Sequence, residues 1–155
     1  MTDADSIEVM ATKACATRTN SQAVCWGGSF LGNAATGSSL TPVAVLDGAS
    51  GQPATDIVQM AGGNDYLCAL RFDAQLYCLG SPTAAALGLA PAAVLTTTLT
   101  APTAHLPESY FITAGADHIC ALTFDSELFC WGANGSGQVG NGTVSAQTIP
   151  TLILD

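Results

Sequence analysis

The chain has 155 residues, 48% hydrophobic and only 10% charged, far from the composition of a disordered segment. A single domain of this length buries about 70% of the surface its unfolded chain exposes, so a real core is available. Twelve acidic residues against three basic ones give a formal net charge of −9, which repels phosphate backbones and argues against nucleic acid as a direct partner.

Taken from the start, Met1-Thr-Asp-Ala-Asp5 is acidic where a secretory signal is basic and then apolar, so any signal is expected to have been removed or never to have existed. Residues 6–10 read as a short strand. Cys15 and Cys25 then stand ten positions apart, with Trp26-Gly27 after the second. A glycine-containing tail follows, from Leu31-Gly32-Asn33 through Pro42 to Leu46-Asp47.

The pattern recurs as Ala61-Gly62-Gly63, Cys68, Cys78 and Leu79-Gly80, and again as Ala114-Gly115, Cys120, Cys130 and Trp131-Gly132. The third copy also carries the tail of the first, Val139-Gly140-Asn141 through Pro150 to Leu154-Asp155, at a constant offset of 108 from Leu31 to Asp47. Two independent registers agree, and they divide one domain, 6–155, into repeats at about 6–56, 57–110 and 111–155.

Each repeat has strand chemistry. Cys120, Leu122 and Phe124 alternate with smaller or polar neighbours, Asp125-Ser126 supplies a turn, and Leu128 to Trp131 is apolar again. This predicts a β-hairpin whose two cysteines lie across from one another if the loop has an odd length. Three disulfides, Cys15–Cys25, Cys68–Cys78 and Cys120–Cys130, are expected, each limiting the unfolded chain by about 2.5–3 kcal/mol. The alternative is three reduced, buried pairs acting as small apolar residues. Bridged cysteines place the chain in an oxidising compartment outside the cytoplasm: secreted, periplasmic or in an organelle lumen.

The run from Ala114-Gly115 through His118, Cys120-Ala-Leu122 and Leu128-Phe-Cys-Trp-Gly132 to Asn141-Gly-Thr143 resembles the repeat of the regulator of chromosome condensation family. It is most similar to the cysteine-paired version in exported proteins. The resemblance implies an all-β chain in which each repeat is a four-stranded propeller blade and seven blades usually close a ring. Three repeats would leave both ends of the array open, to be covered by a partner protein, by further copies of the chain or, in a fragment of a longer propeller, by the absent blades. Ser6–Met10 and Thr151–Leu154 are then candidates for pairing outside the chain. The resemblance also implies a packing or hydrogen-bonding role for His118, with Asp65 or Tyr66 and, roughly, Lys13 as its counterparts.

Between Asp73 and Glu108 there is no Asp, Glu, Lys or Arg. Uncharged surface suits a dry interface, because desolvating an unpaired charge is expensive. Thr83, Leu87, Leu89, Val94 and Leu95 are therefore the candidate partner contacts; the bland reading makes the same leucines blade core. Pro91, Pro102 and Pro107 favour an irregular, longer connector there.

Catalytic and cofactor chemistry find little support. His105 and His118 are the only histidines, and cysteines ten apart do not match zinc-ligand spacing, so no metal or cofactor is expected. Gly135-Ser-Gly-Gln-Val-Gly140 fits a dinucleotide pattern, but another turn follows it where a helix should begin. Asn134-Gly-Ser136 and Asn141-Gly-Thr143 are glycosylation sequons that turns also generate by chance.

The expected function is a non-enzymatic scaffold or protein-interaction subunit docked on a larger assembly, with a homo-oligomer possible. Alternatives are a secreted inhibitor or ligand-binding propeller fragment and, less favoured, a guanine-nucleotide exchange regulator.

Overall fold

The computed structural model describes residues 1–81, 96–101 and 106–154. Twelve strands occur among them: β1 (Ala4–Val9), β2 (Lys13–Arg18), β3 (Ala23–Gly27), β4 (Ser39–Ala44), β5 (Ile57–Gly62), β6 (Tyr66–Arg71), β7 (Leu76–Gly80), β8 (Thr96–Thr100), β9 (Ser109–Ala114), β10 (His118–Thr123), β11 (Leu128–Gly132) and β12 (Gln147–Leu152). Each consecutive set of four forms one antiparallel sheet in chain order. The sheets are three blades of an open propeller-like array.

Every blade turns its central hairpin by the same device. Ser21 N–H donates to the Arg18 carbonyl at 2.8 Å while Arg18 N–H donates to Gln22 at 2.8 Å, and Ala74 with Arg71 and Ser126 with Thr123 repeat both bonds. Ser21, Ala74 and Ser126 all adopt positive φ, 60°, 60° and 64°. This is a type I turn closed by a left-handed residue, a three-residue loop. Its odd length sets the cysteines directly opposite one another, with Cα atoms 4.1 Å apart in all three disulfides.

The glycine two places after each second cysteine is required by space as well as by angle. Gly27, Gly80 and Gly132 have φ of 97°, 148° and 118°. A Cβ on Gly132 would lie 2.5 Å from the Cα of its partner, His118.

The period-2 alternation of Tyr66–Arg71 splits blade 2 into two faces, and nearly all of it is buried. Leu67, Ala69 and Leu79 pack with Cys15, Cys25, Leu31 and Val45 of blade 1. Tyr66, Cys68, Leu70 and Leu76 pack with Ile112, Ile119, Ala121 and Trp131 of blade 3. The 108-residue offset is structural too: Leu31 and Val139 are both buried, and the glycines after them share φ near 85° and 83°.

Two sequence readings are sharpened. The first and last strands are the outer edges of their sheets, β1 (Ala4–Val9) paired inward with β2 and β12 (Gln147–Leu152) with β11. Tyr66, not Asp65, is the counterpart of His118, since Tyr66 faces Gly80 as His118 faces Gly132 and Lys13 faces Gly27.

Candidate functional site

Because the blades share one register, a residue can be compared with its counterparts in the other two. Ile7, Met60 and Ile112 face the equivalent alanines Ala16, Ala69 and Ala121. Met60 and Ile112 are 5% and 1% exposed, covered by the preceding blade, whereas Ile7 is 63% exposed. Val9 beside it is also exposed, and Trp26 is partly exposed where Leu79 and Trp131 are fully buried. These residues form one open face, on blade 1.

The other open face lies on blade 3. Leu76 is 2% exposed and Ala23 1%, but their counterpart Leu128 is 37% exposed. Cys120 and Leu122 are partly exposed, where Cys68 and Leu70 are buried. Phe111, opposite Leu122, is exposed beside them.

The hydrogen bonds between blades follow the same repeat. The carbonyl of the left-handed turn residue accepts from the first strand of the next blade, Ser21 from Ile57 at 3.0 Å and Ala74 from Ser109 at 3.0 Å. Ser126 holds that position at the open end. Gln59 bridges blades 2 and 3, donating to the Ile112 carbonyl at 2.8 Å and accepting from the Ile112 N–H at 2.9 Å. Tyr66 hydroxyl points onward to the carbonyls of Gly115 and His118, at 2.9 and 2.6 Å. Burial, and the nearby Asp117 carboxylate, push its phenol well above the usual tyrosine range.

Lys13 occupies the same position in blade 1. Its burial pulls the ammonium down to about 8, partly opposed by Asp65 of blade 2, and its Nζ donates to the Ser29 carbonyl at 3.4 Å. His118 holds this place in blade 3, its imidazole packed so closely over Gly115 that a Cβ there would lie 2.2 Å from a ring carbon. The packing role expected of His118 has this geometric basis.

An ion pair joins the tail of blade 1 to blade 2. Arg71 meets Asp47 at 2.6 Å, and Asp47 also accepts from the N–H groups of Ala49 and Ser50. The guanidinium first, and then Ser50 N–H, hold the Asp47 carboxyl down at about 2.

Thr83, Leu87, Leu89, Val94 and Leu95, the candidate contacts, lie outside the described residues, as do Pro91, Pro102 and His105. Gly137 and Gly140 of the dinucleotide-like run adopt positive φ within turns. Asn134 is buried, its amide NH₂ donating to the Thr143 and Ser145 carbonyls at 3.0 and 3.1 Å and its oxygen accepting from Val139 N–H at 2.9 Å. This sequon is a loop clamp, and its nitrogen is not available to a glycan. Among the described residues no three His, Cys, Asp or Glu side chains are grouped to hold a metal ion.

Two models described as regulator of chromosome condensation (RCC1) repeats match residues 111–138 and 125–155. Human E3 ubiquitin-protein ligase HERC2 is 30% identical over 91 residues, 57% of this chain but only 2% of that protein, and the mouse protein matches equally. Among solved structures, human WBSCR16 superimposes with a TM-score of 0.83 and 21% identity over 98% of this chain and 40% of its own. Saccharomyces cerevisiae Prp20p, described with its binding to Gsp1p and histones, gives a TM-score of 0.80 and 19% identity over 99% of this chain and 39% of its own. Yeast RCC1 (Prp20) bound to Kap60 gives 0.79 and 19% over 99% of this chain and 37% of its own. The chain thus spans well under half of each solved relative. Its third blade matches the RCC1 repeat models, and all three blades, in an open array, have the fold of RCC1-type propeller blades.

Proposed function

We propose that the chain is a non-catalytic protein-interaction module, an accessory subunit that docks on a larger assembly through its open blade faces. The observation that carries this reading is the contrast at equivalent positions: Ile7 and Leu128 are exposed where Met60 and Leu76 are buried by neighbouring blades. Apolar surface of this kind, contiguous and backed by rigid sheets, is what protein partners cover. The uncharged stretch with Thr83, Leu87, Leu89, Val94 and Leu95 is proposed as a further contact.

Three disulfides suit an oxidising compartment, and within that class a secreted, periplasmic or organelle-lumen setting is proposed. That setting disfavours nucleotide exchange on a cytosolic or nuclear GTPase.

Native pull-down with mass spectrometry from the source organism tests the reading, run in parallel with Ile7→Glu, Leu128→Glu and Leu87→Glu chains. A partner that co-purifies in fixed ratio with the parent chain and is lost from a variant of unchanged Tm supports docking at that site. A partner retained by all three variants, or a parent chain that light scattering shows alone and monomeric, contradicts it.

A further inference from the structure

A second apolar surface lies away from the open faces, on the rim where the hairpin tips of blades 2 and 3 meet. It is a groove of about 200 Å³ whose walls include Val58, Leu70, Phe72, Tyr110 and Phe124. Val58, Phe72, Tyr110 and Phe124 are all exposed, so their apolar area contributes to neither interblade core. The rings of Tyr110 and Phe124 lie 5.5 Å apart at a 49° tilt, holding one wall in place. Phe72 and Phe124 occupy the same hairpin position, and blade 1 has Thr19 there.

Acidic residues flank each phenylalanine. Phe72 N–H donates to the Asp56 carbonyl at 2.9 Å and Phe124 N–H to the Glu108 carbonyl at 3.1 Å, while Asp73 and Asp125 directly follow the two rings. The chain's three basic side chains are committed elsewhere: Arg18 pairs with Asp3 at 2.7 Å, Arg71 at the groove wall pairs with Asp47 at 2.6 Å, and Lys13 is buried. No Lys or Arg of the chain is left to neutralise Asp56, Asp73, Glu108 and Asp125. In blade 1 the equivalent acid, Asp3, already has its arginine.

We infer that this groove docks a segment of a partner protein that carries one aliphatic or aromatic anchor side chain flanked by Lys or Arg. The volume lies below that of ordinary small-molecule pockets, about 300–1,000 Å³, and suits a single side chain. The acidic surround supplies the complementary field. A second copy of this chain cannot provide the cations, since all of its own are engaged, and a nucleic acid is repelled.

Fluorescence anisotropy with the whole, oxidised protein tests this. The probes are three labelled peptides: Lys-Arg-Leu-Phe-Arg-Lys, its acidic counterpart Glu-Asp-Leu-Phe-Asp-Glu, and Lys-Arg-Ser-Gly-Arg-Lys. The first is expected to bind best, with affinity falling as ionic strength rises to about 0.5 M. Phe72→Ala with Phe124→Ala should weaken it by about tenfold or more. Asp73→Asn with Asp125→Asn, which keeps the Asp73 oxygen that accepts from Gln75 N–H, should weaken it several-fold and flatten the salt dependence, while Leu128→Glu on the open face should change nothing. Because all four rim positions are exposed, an unchanged Tm is expected in these variants. The inference is overturned if the acidic peptide binds equally well, if the Phe double variant retains full affinity, if the Ser-Gly peptide matches the Leu-Phe one, or if no peptide binds at millimolar concentration.

Discussion

Blades 2 and 3 are built alike, with the same turn, the same disulfide and the same strand register, yet they occupy opposite physical situations. Blade 2 is covered on both sides, and its central strand is buried almost throughout. Blade 3 is covered on one side, so His118–Thr123 alternates between buried and partly exposed residues. The difference lies in the neighbours, not in the sequence of the blade: Leu76 and Leu128 are the same residue at the same position, and only one is in a core. Local pattern dictates the blade, while array position dictates which of its faces is available to a partner.

The largest break in this comparison comes from removing a disulfide. Cys68→Ala with Cys78→Ala takes out a fully buried bridge and should cost about 3–5 kcal/mol, loop entropy plus lost packing. The same change at Cys120 and Cys130 should cost about 2–3 kcal/mol, mainly loop entropy. Denaturant unfolding measures both, and equal losses would mean the two blades are equally covered.

A gentler probe keeps every bridge. Leu76→Ala should cost about 2–4 kcal/mol by opening a cavity in the core between blades 2 and 3, whereas Leu128→Ala should cost less than about 1 kcal/mol. Thermal or urea unfolding of the two variants gives the ratio directly.

The smallest effect concerns the seam between blades 1 and 2. Asp47 is held down at about 2 by Arg71, below the unfolded aspartate value near about 4. A depressed carboxylate contributes stability that is fully present above the unfolded value and is lost as pH falls through the folded one. The loss is therefore expected between about pH 4 and about pH 2, and solvent screening keeps it to about 1 kcal/mol. Asp47→Asn should flatten the acid limb of a stability-versus-pH profile in that window; an unchanged limb would show that the pair carries no net stability.

The blades themselves were legible in the sequence. Paired cysteines at constant spacing and the Leu31-to-Val139 offset both mark the chemical period of a repeat, and both survive in three dimensions. The counterpart of His118 was ambiguous because matching Ala61-Gly62 to Ala114-Gly115 by residue type implies an inserted residue in the second repeat; the strand register has no insertion, setting Gly63 in the place of Gly115 and Tyr66 in that of His118. Asn134 read as a sequon, since a triplet says nothing about burial; the loop that folds over its amide comes from residues up to eleven positions away. The open faces could be anticipated as a consequence of three repeats, but not residue by residue, because Ile7 and Met60 are equally apolar. The rim groove went unread because Phe72 and Phe124 look like ordinary strand alternation until the turn shows them pointing past the last hydrogen-bonded pair. The candidate contacts from Thr83 to Leu95 retain only their sequence argument.

Hydroxyl-radical footprinting of the oxidised chain tests the central claim, that one blade is enclosed and its two neighbours are open, most directly. Methionine is the most informative reporter: Met1 is 61% exposed and Met60, on the covered face of blade 2, is 5% exposed. The account predicts fast modification of Met1, Ile7, Trp26 and Leu128, with Met60, Leu76 and Leu79 protected. Modification of Met60 at the rate of Met1, or protection of Leu128 equal to that of Leu76 in the isolated chain, would contradict it.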